Sequence, residues 1–137
     1  MIERAIRSRL RQRHGVSLAR FDLMAQLARS PEGLTAGEAG AAMMVTASNV
    51  TGLVDRLESE GLVERNAGAP DRRTIRLTLT SLGRERFEYM AADHARWIAE
   101  LLGELPATDR AALMQLLGRL RDTVASAAGE SNQERTL

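Results

Sequence analysis

Residues 35–80 read TAGEAGAAMMVTASNVTGLVDRLESEGLVERNAGAPDRRTIRLTLT, and this stretch decides the fold. Thr35 followed by Glu38 matches a capping box: the hydroxyl accepts from the amide of residue 38, and the carboxylate reaches back to the amide of Thr35. A short helix follows to about Met43. Gly37 and Gly40 make it intrinsically weak, so it must rely on packing. Met44-Val45 reads as a tight turn, and Thr46 as the N-cap of a second helix from about Ala47 to Glu60. Val50, Leu53, Val54 and Leu57 form one buried stripe on it, while Ser48, Asn49, Thr51, Gly52, Asp55 and Arg56 occupy the other face. Gly61 stops it, and the period changes. Leu62 to Arg65 reads as a strand, Asn66 to Asp71 is dense in turn formers, and Thr74 to Leu79 alternates polar and apolar. Two strands so joined make a hairpin with Arg72-Arg73 near its tip. Helix, tight turn, helix, hairpin is a helix-turn-helix followed by a wing.

Amphipathic helices surround this module. Residues 1–13 repeat Ile2, Ile6 and Leu10 on one face and Arg4, Arg7 and Arg11 on another, with Gly15 as the C-terminal cap. A second helix runs from about Leu18 to Arg29, until Ser30-Pro31-Glu32-Gly33 breaks it. Thr80 caps a long helix to about Leu102, with Phe87, Met90, Ala91, His94, Trp97, Ile98 and Leu101 at helical spacing. Leu105 to Thr108 is a break and restart. A last helix from about Asp109 to Ala127 carries Leu113, Leu116, Leu117, Leu120 and Val124 on one face, and residues 128–137 form a polar, frayed tail. The predicted fold is mainly α with a small β-hairpin. Its winged helix-turn-helix lobe covers 18–80, and its flanking N- and C-terminal helices, 1–17 and 81–127, serve dimerisation.

The 137 residues are 44% apolar with only four aromatics, so the core must be aliphatic. Net charge is +1, which does not advertise a nucleic-acid binder, although basic groups gathered on one face suffice. All 19 basic residues are Arg. The planar guanidinium suits phosphates and guanine edges, but a GC-rich genome explains the bias equally well. Zero cysteines exclude disulfides and thiol-based redox sensing within the chain. The N-terminus lacks the apolar segment of a signal peptide, and no stretch reaches the ~18 apolar residues of a membrane span. The default location is cytoplasmic.

The second helix of the motif points to DNA. A helix with an open polar face near its N-terminus fits the major groove, where each base pair shows a distinct donor and acceptor pattern. Ser48, Asn49 and Thr51 are short side chains suited to base edges or phosphates, Gly52 permits close approach, and Arg56 suits a phosphate. Small polar residues are also common in any first helical turn, and an Arg pair on a hairpin is often only solvated charge. The two features together favour DNA: Arg72 and Arg73 on a wing suit a narrow minor groove, with Asp71 orienting one of them. The candidate set is Thr46, Ser48, Asn49, Thr51, Gly52, Arg56, Arg72 and Arg73.

The run SNVTGLVDRLESEGLVERNAGAPDRRTIRLTLTSLGRE, Ser48 to Glu85, resembles the MarR family of winged helix-turn-helix regulators. Within it TGLVDRLESEGLVER resembles the end of the recognition helix and the start of the wing, DRR the wing tip, and LTLTSLG the last strand with the following cap. The match is looser from Leu18 to Val45, and the terminal helices match by pattern and position only. The resemblance implies a single MarR-like domain over 1–137 and an obligate homodimer of interlocked terminal helices. It also implies a pseudo-palindromic double-stranded DNA operator, usually repressed, and a small anionic, often aromatic, ligand that releases the DNA. Where the family commonly has Leu-Ala, this chain has Ala39-Gly40, so its third helix is expected to pack less tightly. The first helix is short for the family, which leaves open a start upstream of Met1.

His14, His94 and Trp97 are the ligand candidates, with Arg9 and Arg13 as anion partners; packing accounts better for His94 and Trp97, which lie on the apolar side of their helix. Two His and no Cys argue against zinc, and no cofactor is expected. No catalytic order, phosphate loop or metal motif is present, so an enzyme is not expected. Asp55, Glu58 and Glu60 read as a solvated face. The rival function is a winged protein-interaction module that does not read DNA, which the low net charge favours slightly.

Overall fold

The structure, a computed structural model, describes residues 1–67 and 74–134. In chain order it forms α1 (Ile2–His14), α2 (Leu18–Ala28), α3 (Ala36–Met43), α4 (Ala47–Ser59), β1 (Val63–Ala67), β2 (Ile75–Leu79), α5 (Ser81–Leu101) and α6 (Ala107–Glu134). The chain falls into two compact units, residues 1–98 and 99–137. No helix among the described residues is long and apolar enough to cross a membrane.

Local chemistry sets the helix ends. Gly15 closes α1 in the left-handed conformation, φ 65°, which costs a residue without Cβ little. Ser17, Thr35 and Thr46 each accept an amide hydrogen bond in the first turn of α2, α3 and α4, from Arg20, Glu38 and Asn49. Thr80 does the same for Gly83 of α5 while donating to the Gly61 carbonyl at 2.6 Å. The capping box at α3 is half realised: the Thr35 hydroxyl caps, but the Glu38 carboxylate turns to Arg76 at 3.7 Å.

The core of the first unit is aliphatic, as the composition requires. Leu10, Leu23, Met24, Leu27, Val50, Val54 and Leu57 are fully buried, with Phe21 and Trp97 among them. The α4 stripe falls where its spacing placed it, except that Leu53 is only half-buried. The expectation of loose packing at Ala39-Gly40 is corrected. Ala39 is completely buried, and a Cβ on Gly40 would lie 2.8 Å from the Val45 carbonyl oxygen. The missing side chain is what lets the turn fold tightly over α3. That turn is made by Met44 in the left-handed region, φ 60°, a conformation rare outside glycine and asparagine.

The hairpin is antiparallel, with Val63 opposite Leu79 and Ala67 opposite Ile75. It is longer than expected: Asn66 and Ala67, read from sequence as turn, pair with Arg76 and Ile75, and the Asn66 amide donates to Thr78 at 2.8 Å. The chain just before α3 also joins it through an isolated bridge, since Leu34 and Leu77 exchange backbone bonds of 3.1 and 2.7 Å. At the base of the hairpin, a Cβ on Gly83 would sit 1.9 Å from the Leu62 carbonyl oxygen, so only glycine lets α5 pass there. In the second unit, α6 continues past the expected stop at Ala127 to Glu134, through the segment read as a frayed tail. Its residues Met114, Leu116, Leu117, Leu120 and Val124 are exposed.

Candidate nucleic-acid interface

The module α3–turn–α4 presents one polar face. Thr46 holds the start of α4, and its hydroxyl lies 3.1 Å from that of Ser48. Ser48, Asn49, Thr51, Gly52 and Arg56 are all exposed. The Thr51 hydroxyl donates to the Ala47 carbonyl and keeps the capacity to accept. Nothing lies within 4 Å of a Cβ built on Gly52, so neither backbone strain nor crowding within the protein demands glycine there. What the glycine does is keep the outer surface of the helix low. Arg56 gives its Nε to Glu60 at 2.9 Å and is 66% exposed. The sequence-read set from Thr46 to Arg56 thus shares one surface, while Arg72 and Arg73 lie outside the described residues.

Asp55 and Glu58 are not merely a solvated face. Arg65, on β1, donates to Asp55 Oδ1 at 2.6 Å and to Glu58 Oε1 at 2.7 Å. Reading α4 alone could not reveal this, because the partner comes from the next element. The acidic i, i+3 spacing facing a basic strand residue was the available signal.

The ligand candidates separate. His14 is nearly buried and its Nε2 lies 2.8 Å from Asp93 Oδ2; Tyr89 packs edge-on at 5.5 Å, and the Trp97 ring centroid is 6.1 Å away. Arg13 reaches the same carboxylate oxygen at 2.8 Å and Arg96 the other at 2.5 Å. Burial opposes ionisation of Asp93, but the His14 hydrogen bond and the two guanidiniums outweigh it and hold the carboxyl below its ordinary value. Arg9 stands 6.0 Å from the Trp97 ring centroid, and a surface depression of about 300 Å³ is lined by Arg9, Gln12, Arg13 and Trp97. His94 is elsewhere. It lies against Phe21 at 5.0 Å, and desolvation pushes its imidazole down while Asp22 pulls the other way. The structure therefore gathers His14, Trp97, Arg9 and Arg13 and leaves His94 in α2–α5 packing. Asp93, which sequence reasoning passed over, is the centre of the group. Its position between Met90 and Trp97 in the i, i+3, i+7 stripe was the clue that it faces inward.

The MarR family matches residues 14–74. A solved MarR family transcriptional regulator from Silicibacter pomeroyi is 34% identical, with 90% of this chain and 84% of that one covered and a TM-score of 0.70. The HTH-type transcriptional repressor MdtR of Bacillus subtilis is 34% identical over 94 residues, 69% of this chain and 60% of the relative. The HTH-type transcriptional regulator YdgJ of the same organism is 29% identical over 110 residues, 80% of this chain and 66% of its own length. The chain thus spans 60% and 66% of the length of these two curated relatives. The helix-turn-helix, the hairpin and the likeness along most of the Silicibacter protein converge: the chain belongs to the MarR family of winged helix-turn-helix transcriptional regulators.

Proposed function

We propose that the chain is a homodimeric, sequence-specific DNA-binding regulator that represses from a pseudo-palindromic operator and releases it on binding a small aromatic anion. The observation that carries this reading is the exposed polar face of α4, kept low by Gly52 and flanked by a hairpin. A helix about 10–12 Å across matches a major groove about 12 Å wide. Thr46, Ser48, Asn49, Thr51 and Gly52 would face base edges or adjacent phosphates, Arg56 a phosphate, and Arg72 and Arg73 the neighbouring minor groove. The exposed apolar row of α6 supports self-association, since a second copy would remove it from water. A twofold dimer places two α4 helices in successive major grooves, so half-sites about 10 bp apart are expected. MdtR, named a repressor, supports the negative sign of regulation. For the ligand, two guanidiniums beside an indole suit a planar carboxylate. Arg9, Arg13 and Trp97 are then the contacts, His14 supports them through Asp93, and His94 drops out.

The test is an anisotropy titration into a labelled duplex taken from upstream of the protein's own gene, with excess competitor, at two salt concentrations. A Kd near 10⁻⁸ M or tighter that weakens steeply with salt is the expected result. Absence of binding to that duplex and to a random-sequence library would return the chain to a protein-interaction role. For the ligand, a thermal-shift panel of aromatic carboxylic acids should raise the melting temperature of the wild type and not of Trp97→Ala. No shift in either would rule out such a ligand at this site.

A further inference from the structure

Two guanidiniums from different helices converge on one carboxylate. Glu60 is the C-cap of α4, and its Oε1 lies 2.9 Å from Arg56 Nε and 3.5 Å from Arg20 Nη1 of α2. The two arginines are held differently. Arg20 is 15% exposed and also donates to the Gly15 carbonyl at 3.2 Å and to the Ser17 hydroxyl at 3.3 Å, which fixes it to the corner between α1 and α2. Arg56 is largely exposed and reaches Glu60 from one turn earlier in its own helix. The position of Glu60 is electrostatically unfavourable. The carbonyl end of a helix carries partial negative charge, so a carboxylate left alone there is destabilised. The other two acids of α4, Asp55 and Glu58, are engaged by Arg65.

We propose that Glu60 and Arg20 set how readily Arg56 meets a DNA phosphate: in the free protein Glu60 holds the Arg56 guanidinium, on DNA the phosphate takes it, and Arg20 keeps Glu60 paired after the exchange. Arg20 is then a positioning residue that acts on Arg56 through Glu60. This rests on the DNA-binding reading above, in which Arg56 is a phosphate contact. Without Arg20, releasing Arg56 would strand a carboxylate at the negative end of α4. With Arg20 anchored 3.5 Å away, the carboxylate is compensated before and after the exchange. Glu60 still competes with the phosphate, so Arg56 is shared between them and its contact with DNA is fractional.

The test is a double-mutant cycle, read by anisotropy on a duplex that the wild-type protein selects from a random-sequence library. Glu60→Gln should tighten binding about two- to fivefold, the range of a partly exposed ion pair. It should also steepen the slope of log K against log salt by up to about 0.9, the value of one phosphate contact. Arg20→Gln should do the reverse on both readouts, because Glu60 then relies on Arg56. The two substitutions together should match Glu60→Gln alone, since Arg20 acts through Glu60. In an Arg56→Ala background neither should change affinity or slope. If charge alone governs, the two effects add and persist without Arg56, and that pattern overturns the proposal. A Glu60→Gln variant that binds as wild type does, or more weakly, also overturns it. Arg20 ties the α1–α2 corner as well, so its variants are compared below their own melting transitions. The Glu60 and Arg56 arms decide the matter without it. A wild type that binds no duplex removes the functional reading and the exchange together, whereas a binding wild type with a silent Glu60 variant removes the exchange alone.

Discussion

Replacing Gly52 by a residue with a side chain separates folding from DNA binding in a single position. The structure leaves the space outside Gly52 open, so Gly52→Ala meets nothing within the protein. Glycine inside a helix costs about 0.5–1 kcal/mol relative to alanine, because the unfolded chain has more freedom to lose. Gly52→Ala should therefore stabilise α4 by about that amount and raise the melting temperature by roughly 3 °C. Gly52→Leu adds a larger side chain at the same open place and should leave the fold at least as stable as wild type. Both place new atoms where the floor of a major groove would lie. The Leu variant should lose on the order of tenfold or more in affinity, comparable to the roughly 1–3 kcal/mol cost of one mismatched base pair. Thermal unfolding followed by circular dichroism gives the first quantity, and anisotropy titration the second. A Leu variant that binds DNA as tightly as wild type would refute the close approach of α4. One that unfolds early would refute the open space around Gly52.

Further expectations rest on other observations. Gly83→Ala drives a methyl into the Leu62 carbonyl and should destabilise by about 3 kcal/mol or more, at or above the usual range for overpacking, measured by urea unfolding. His94 is held below its ordinary pKa by desolvation, so the folded state binds a proton less readily than the unfolded chain. Its contribution is full above about pH 6.5 and is lost as pH falls through the depressed folded value. His94→Phe should flatten that part of the stability–pH curve. Asp93 is also held low, so its contribution is full above the ordinary aspartate range and fades as pH falls through its folded value. Asp93→Asn should thus lower the melting temperature at pH 7 and lose its effect in strong acid. Equal effects at both pH values would contradict the carboxylate's pairing with His14, Arg13 and Arg96.

Local chemistry made the module legible. Three threonines, Thr35, Thr46 and Thr80, marked helix starts because a hydroxyl before a helix satisfies amides that no carbonyl reaches, and all three do so. The spacing of Val50, Val54 and Leu57 gave the buried side of α4, and the alternation from Thr74 to Leu79 gave a strand. What stayed hidden depended on elements meeting in space. Arg65 could not be assigned to Asp55 and Glu58 before the hairpin's position over α4 was known. Leu34 bonds Leu77 across a stretch of chain in which no period shows a strand. Gly40 read as a weakness because its cost is local and its benefit, the approach of Val45, is tertiary. Asp93 carries a charge on an apolar stripe, and hydrophobic spacing alone skips such a residue. At the interface, the residues from Thr46 to Arg56 were legible as a surface because a helix with one buried stripe must show its other side.

The placement of α4 is read by a dimethyl sulfate footprint of a duplex that the wild-type protein selects from a random-sequence library, since the reagent reports guanine N7 in the major groove and adenine N3 in the minor groove. If α4 lies in the major groove, guanines should be protected in two patches about 10 bp apart, and Asn49→Ala should weaken that protection in both together. Protection confined to adenines, or none on a duplex the protein demonstrably binds, would contradict it.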